Sequence, residues 1–264
     1  MGLGLFWKPR GPSSSQHLGQ LKRDLDLSGP SRKGIGHTGT LDPFAEGWLL
    51  VGWGEGTKLL SALQKLDKVY EAEILLGASS ETLDNTAALE EWLVGIDPQV
   101  EVLGNFLKTK IGKQMQIPPL FSAKKVDGVR AYELARKKQD VELKACEVEL
   151  YSAQHLSLVK AENNLWKWTV KLHVSSGTYI RAFARDWAKE LFGHNACLSG
   201  LKRTGIGQFL KETQESFIFK SAEELTSFYP AESLKFNQAG ALEAAWIPSA
   251  ERWRYFNADP LSFS

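Results

Sequence analysis

One stretch of this chain leaves little freedom in how it folds. From Trp166 to Val174 apolar and polar residues alternate without a break. Trp166, Trp168, Val170, Leu172 and Val174 fall on one face, and Lys167, Thr169, Lys171 and His173 on the other. A period of two belongs to a half-buried β-strand, because successive side chains leave the pleat on opposite sides. The strand, read from Leu165, runs through Ser175-Ser176-Gly177-Thr178-Tyr179 into a segment where Ile180, Phe183, Ala184, Trp187 and Leu191 have core-facing helical spacing. A strand end and a first helical turn direct side chains to one cleft. There the planar fork of Arg181 suits a carboxylate and the flat ring of Tyr179 suits a nucleobase. Read alone, the same segment is first of all a surface arginine beside a core tyrosine.

The remaining elements follow from similar patterns. Val69–Gly77 reads as a strand, with Tyr70, Ala72, Ile74 and Leu76 alternating against Glu71 and Glu73. Tyr70 by itself reads as core. Ser13–Leu27 reads as a helix. Ser13 and Gln16 have capping-box spacing, Leu18, Leu21 and Leu25 form a stripe, and Ser28-Gly29-Pro30 is the stop. Further helices are expected at Ala87–Val94 and Ala131–Lys138, with another capping box at Ser221–Glu224. Ile117-Pro118-Pro119 suits neither a helix interior nor a central strand, so it marks an extended excursion.

Composition narrows the class. The 264 residues give a prior of just under two domains, though one large mixed domain fits equally well. With 43% hydrophobic and 24% charged residues, a largely disordered chain is excluded. Cys146 and Cys197 are too few for a disulfide scaffold and stand at no metal-ligand spacing, so no zinc site is expected. Neither lies in a motif that would activate a nucleophile. The start lacks a signal-peptide pattern and no run nears the ~18 apolar residues of a membrane helix. A cytoplasmic protein without membrane contact is therefore expected.

The net charge is only +1, but the charges are segregated. Between Tyr70 and Val102 all are acidic: Glu71, Glu73, Glu81, Asp84, Glu90, Glu91, Asp97 and Glu101. From Lys108 to Lys144 ten basic residues, Lys124 and Arg136 among them, face only Asp127, Glu133, Asp140 and Glu142. A local basic patch serves a phosphate backbone whatever the total charge. A solvated helix face is the plainer alternative.

A second candidate is the glycine-punctuated loop Gly34-Ile35-Gly36-His37-Thr38-Gly39-Thr40-Leu41-Asp42-Pro43. The proline restricts the backbone of Asp42, and the glycines permit tight turning and close approach of a ligand. Such a loop suits a carboxylate that must meet a substrate at a fixed angle; it is also what inert turns are made of. His37 is open between ligand, base, stacking group and none of these.

Taken in order, several blocks resemble the TruB family of tRNA pseudouridine synthases. They are Lys8-Pro9-Arg10-Gly11-Pro12-Ser13-Ser14, Gly36 to Ala45, Gly54-Glu55-Gly56-Thr57-Lys58 and Asp67-Lys68-Val69-Tyr70. Gln116 to Lys124 with Ala131 to Arg136, Ser176 to Arg181, and Leu201-Lys202-Arg203-Thr204 follow. The chain departs from the family pattern at Glu46 and Phe121, and in the acidic stretch that here reads Glu81-Thr82-Leu83-Asp84.

The resemblance implies an α+β fold, with a bent, mostly antiparallel mixed sheet flanked by helices. The catalytic domain would be residues 1–212, with a thumb-like insertion at about 108–144. A short extension at 213–264 would follow, in which no full PUA domain is recognised. The implied activity is isomerisation of a tRNA uridine, position 55 of the T-loop, without cofactor or metal. By the same resemblance Asp42 is the catalytic aspartate, Arg181 pairs with it, and Tyr70 stacks on the uracil. Tyr179 is a second active-site tyrosine and His37 supports the flipped-out loop. Lys8 and Leu201 fall at the substrate, while Lys124, Arg136 and Arg203 serve the RNA backbone. The implied partner is the T-stem-loop, bound by a monomer. Two other readings are an RNA-binding or tRNA-folding module, and a cysteine-dependent uridine modifier.

Overall fold

A computed structural model of the protein describes residues 2–25, 34–91, 96–126, 128–137, 142–207, 209–210 and 217–218. In chain order the first elements are β1 (Gly2–Lys8), α1 (Ser14–Asp24), β2 (Ile35–His37) and β3 (Glu46–Trp53). A 3-10 turn at Gly54–Leu59 leads to α2 (Leu60–Leu63), then β4 (Lys68–Leu76), β5 (Ala78–Ser79), β6 (Glu90–Glu91) and α3 (Val100–Thr109). Next come β7 (Gly112–Gln116), β8 (Lys125–Val126), β9 (Val129–Arg130) and α4 (Ala131–Arg136). The last are β10 (Cys146–Lys160), β11 (Trp166–Val174), α5 (Ile180–Phe192), β12 (Cys197–Ile206), β13 (Phe209–Leu210) and β14 (Phe217–Ile218). Two compact units result: one runs to Leu66 and resumes at Thr204, the other is Asp67–Arg203. None of the described helices is long and apolar enough to cross a membrane.

The first unit is built on β1, β3 and β2, with antiparallel β1–β3 and β2–β3 pairs and β14 along β1. Helix α1 opens at the expected capping box: Ser13 accepts from the Gln16 amide and the Gln16 side chain accepts from the Ser13 amide. Its stripe of Leu18, Leu21 and Leu25 packs on Phe6, Leu49, Val51 and Trp53. The helix ends at Asp24, and the expected stop at residues 28–30 lies outside the described residues, as does the second capping box at 221–224.

In the second unit β11 pairs antiparallel with β4 and β10, and β7 lies along β10 at the edge. Trp168, Val170, Leu172 and Val174 of β11 are buried while Lys171 is exposed, as the alternation requires. Ala72, Ile74 and Leu76 of β4 are buried with Tyr70. Helix α5 covers this face: Trp187 stacks on Phe183, with ring centroids 4.9 Å apart, and sits 6.2 Å from Trp168. Because β7 belongs to the sheet, the described chain between β7 and β10 that lies off it is residues 117–126, 128–137 and 142–145.

The helix expected at Ala87–Val94 does not form in its described part. Glu90–Glu91 instead pairs with Ala78–Ser79, and residues 92–95 lie outside the described residues. The cause is the turn before it. The Asp84 carboxylate accepts hydrogen bonds from the Thr86 amide (3.0 Å) and hydroxyl, and Leu83 adopts a left-handed backbone with φ 59°. Side-chain bonds of this kind divert the backbone from helical pairing.

Candidate active site

Asp42 sits half-buried in a loop fastened to its surroundings on several sides. The buried Ser14 hydroxyl, on the first turn of α1, donates to the Leu41 carbonyl (2.8 Å) and accepts from the Leu41 amide (2.9 Å). The Gly11 amide donates to the Pro43 carbonyl at 2.8 Å, and the Ala45 amide closes a turn onto the Asp42 carbonyl at 3.1 Å. Lys8, wholly buried, donates from Nζ to the carbonyls of Ala45 (2.7 Å) and Pro9 (2.8 Å). Gly39, at φ 91°, turns the chain into the loop through a conformation that other residues rarely adopt. A carboxylate on a backbone held this way meets a ligand without first having to be ordered. His37 lies half-buried on β2, opposite Val51.

Arg181, in the first turn of α5, is buried. Its Nη1 donates to the Thr82 carbonyl at 2.7 Å and its Nη2 to the Phe121 carbonyl at 2.8 Å. The Asp84 carboxylate lies 3.6 Å from Nη1. Asp84 is a partner that sequence reasoning missed; the signal was the acidic stretch, and the fold was needed to bring it to a residue 97 positions downstream. Gln116 is a second omission. Its side chain accepts from the Tyr179 amide at 2.8 Å and donates to the Tyr179 carbonyl at 3.1 Å.

Tyr70, buried on β4, accepts a 3.4 Å hydrogen bond from Arg203 Nη1 on β12. Arg203, expected at the RNA backbone, is only 1% exposed and lies beside Tyr70. Its two-residue spacing from Leu201, also buried, places both on one face of the strand. Lys68, two residues from Tyr70, is buried too. Burial first, then the charge of Arg203, push its ammonium down to about 7, with Asp67 pulling the other way. Lys8 likewise serves the loop's backbone through carbonyl oxygens. Lys124 is half-buried and donates to the Lys144 carbonyl at 3.3 Å, whereas Arg136 closes α4. Burial and the neighbouring Asp84 push the Cys197 thiol up to about 12, so it carries no thiolate near neutral pH.

The family model of the TruB family pseudouridylate synthases (N terminal domain) matches residues 29–180, a span containing Asp42, Tyr70, Gln116 and Tyr179. The chain belongs to the TruB family. It is 42% identical over 208 residues to the tRNA pseudouridine synthase B of Campylobacter concisus, covering 79% of this chain and 72% of that one. It is 36% identical to the protein of the same name from Thermosipho melanesiensis, over 79% of this chain and 65% of the other. A solved Cbf5-Nop10-Gar1 complex contains a chain of similar fold, with a TM-score of 0.57 and 25% identity. The match covers 80% of this chain and 50% of that chain, so the TruB-family protein spans about half the length of its structural neighbour.

Proposed function

We propose that this protein isomerises a uridine of tRNA, in the T-loop, to pseudouridine, with Asp42 as the catalytic residue. The carrying observation is the fastened Asp42 loop, which lies inside the span that defines the family. A T-loop base must leave its stack before its glycosidic bond can be reached, at a cost of a few kcal/mol. Stacking on the rings of Tyr70 and Tyr179 offsets that cost, and the cations of the 117–145 excursion serve the phosphates.

The Asp42 carboxylate then drives cleavage of the C1′–N1 bond, the uracil turns, and C5 bonds to C1′. N1 gains a proton and C5 loses one. No atom is added and no electron transferred, so the stoichiometry calls for no cofactor. In this reading the carboxylate acts in its ionised form, the form that a nearby opposite charge favours in a dry pocket. His37 supports the displaced loop, and the enzyme acts as a monomer in the cytoplasm.

The test is tritium release from C5-labelled uridine in a T-stem-loop RNA. Wild-type protein should release it, and Asp42→Asn should lose ~10³-fold or more of the rate while binding the RNA as before. Wild-type protein that binds and refolds the RNA without release would instead establish the RNA-folding module. A rate lost on blocking the thiols of Cys146 and Cys197 would establish the cysteine-dependent modifier.

A further inference from the structure

We propose that Gln116 is a positioning residue for this reaction: its carboxamide fixes the backbone of Tyr179, and with it the helical turn that carries Arg181. The inference rests on the proposed isomerase reading.

Gln116 is the last residue of edge strand β7 and only 1% exposed. Its side chain grips both polar backbone groups of one residue, accepting from the Tyr179 amide and donating to the Tyr179 carbonyl, across 63 positions of sequence. Tyr179 is the N-cap of α5, and its own side chain makes no capping hydrogen bond. Ser, Thr, Asp or Asn usually does this work; a tyrosine ring cannot reach its own helix amides. The Tyr179 carbonyl also accepts from the amides of Ala182 and Phe183, so its direction sets the direction of the first turn. Two residues before it, Gly177 stands at φ 83°, a sharp bend. The preceding loop is braced by Thr178, whose hydroxyl donates to the Ser175 carbonyl at 2.9 Å, and β7 adds the hold on the backbone of Tyr179 itself.

The same segment is tied to α5 twice more. Arg185 Nη2 donates to the Ile117 carbonyl at 2.9 Å, one helical turn beyond Arg181, whose Nη2 holds the Phe121 carbonyl. Between these ties lie Pro118 and Pro119, both buried, whose rings fix the backbone. Residues 116–121 thus form a stiff strap along the start of α5. Past the strap the chain enters the basic excursion, where Ser122 and Lys124 carbonyls accept from the amides of Tyr132 and Ala131.

Steady-state kinetics on a T-stem-loop RNA test this with Gln116→Ala and Gln116→Glu, each checked for cooperative melting. Gln116→Glu keeps the size and an acceptor but turns an oxygen toward the Tyr179 carbonyl. Both variants should lower kcat about tenfold or more, with KM changing by much less than kcat, since misorientation of the reacting groups costs more rate than binding. Arg185→Gln should lower kcat less, again with the smaller change in KM. An unchanged kcat in either folded Gln116 variant, or a rise in KM alone, would overturn the proposal. Should Gln116→Ala fail to fold, Gln116→Glu carries the test. Absence of turnover in the wild-type protein would refute the isomerase reading itself, a distinguishable result.

Discussion

Lys68 shows how a single residue reports on its surroundings. Its ammonium titrates at about 7 in the folded chain against an ordinary 10.5, chiefly because it is buried and then because Arg203 is close. Between those values the unfolded chain binds the proton and the folded chain does not, so stability rises with pH across that window. The unfolding midpoint of wild-type protein should climb from about pH 7 to pH 9 by more than that of Lys68→Met, as read by thermal melts at stepped pH. Parallel slopes for the two proteins would contradict the burial. Asp84 is the residue-scale counterpart for Arg181. Asp84→Asn removes a buried charge 3.6 Å from the guanidinium and should cost about 2 kcal/mol in urea unfolding, with a fall in turnover.

At the scale of an element, α1 does two jobs with two faces. Its leucine stripe closes the core on Phe6, Leu49, Val51 and Trp53, and its first turn sends the Ser14 hydroxyl to both backbone groups of Leu41. The two faces should separate by mutation. Leu21→Ala should destabilise by about 3 kcal/mol through the cavity it leaves, with turnover per folded molecule preserved. Ser14→Ala should cost only about 1–2 kcal/mol yet lower kcat, because the loop bearing Asp42 loses two of its ties. Denaturant unfolding combined with tritium release reads both quantities. Helix α5 divides its labour likewise: Phe183, Trp187 and Ala188 fill the core, while Arg181 and Arg185 hold carbonyls of the strap.

For the whole molecule, charge distribution outweighs total charge. A net +1 would by itself bind RNA poorly. Part of the basic run is spent on neighbours, since Lys110 pairs with Glu190 (2.5 Å) and Lys113 with Glu147 (3.1 Å), leaving the excursion beyond Pro119 as the cationic segment. RNA affinity should fall steeply between low and physiological salt. Replacing Lys124, Lys137 and Lys144 by Gln should flatten the log–log salt slope by about 2 while leaving kcat at saturating RNA near wild type. Equilibrium binding over a salt series reads the slope, and an unchanged slope would place the phosphate contacts elsewhere.

What local pattern alone could determine is what depends on neighbours in sequence. The alternation of β4 and β11, the Ser13–Gln16 box, the leucine stripe of α1 and the start of α5 each follow from the periodicity of one element facing one core. The ordered motifs likewise named the family. Strand β3 escaped because Trp48 to Val51 are buried on both faces and so show no alternation. Tertiary structure decided which groups those residues meet: Arg203 at Tyr70 rather than in solvent, Lys8 on carbonyls, Asp84 at Arg181, and Gln116 on Tyr179. These pairs lie 37 to 133 positions apart. Nothing local distinguishes a lysine or arginine bound for water from one that a distant strand will bury, because that choice belongs to the packing of the sheet.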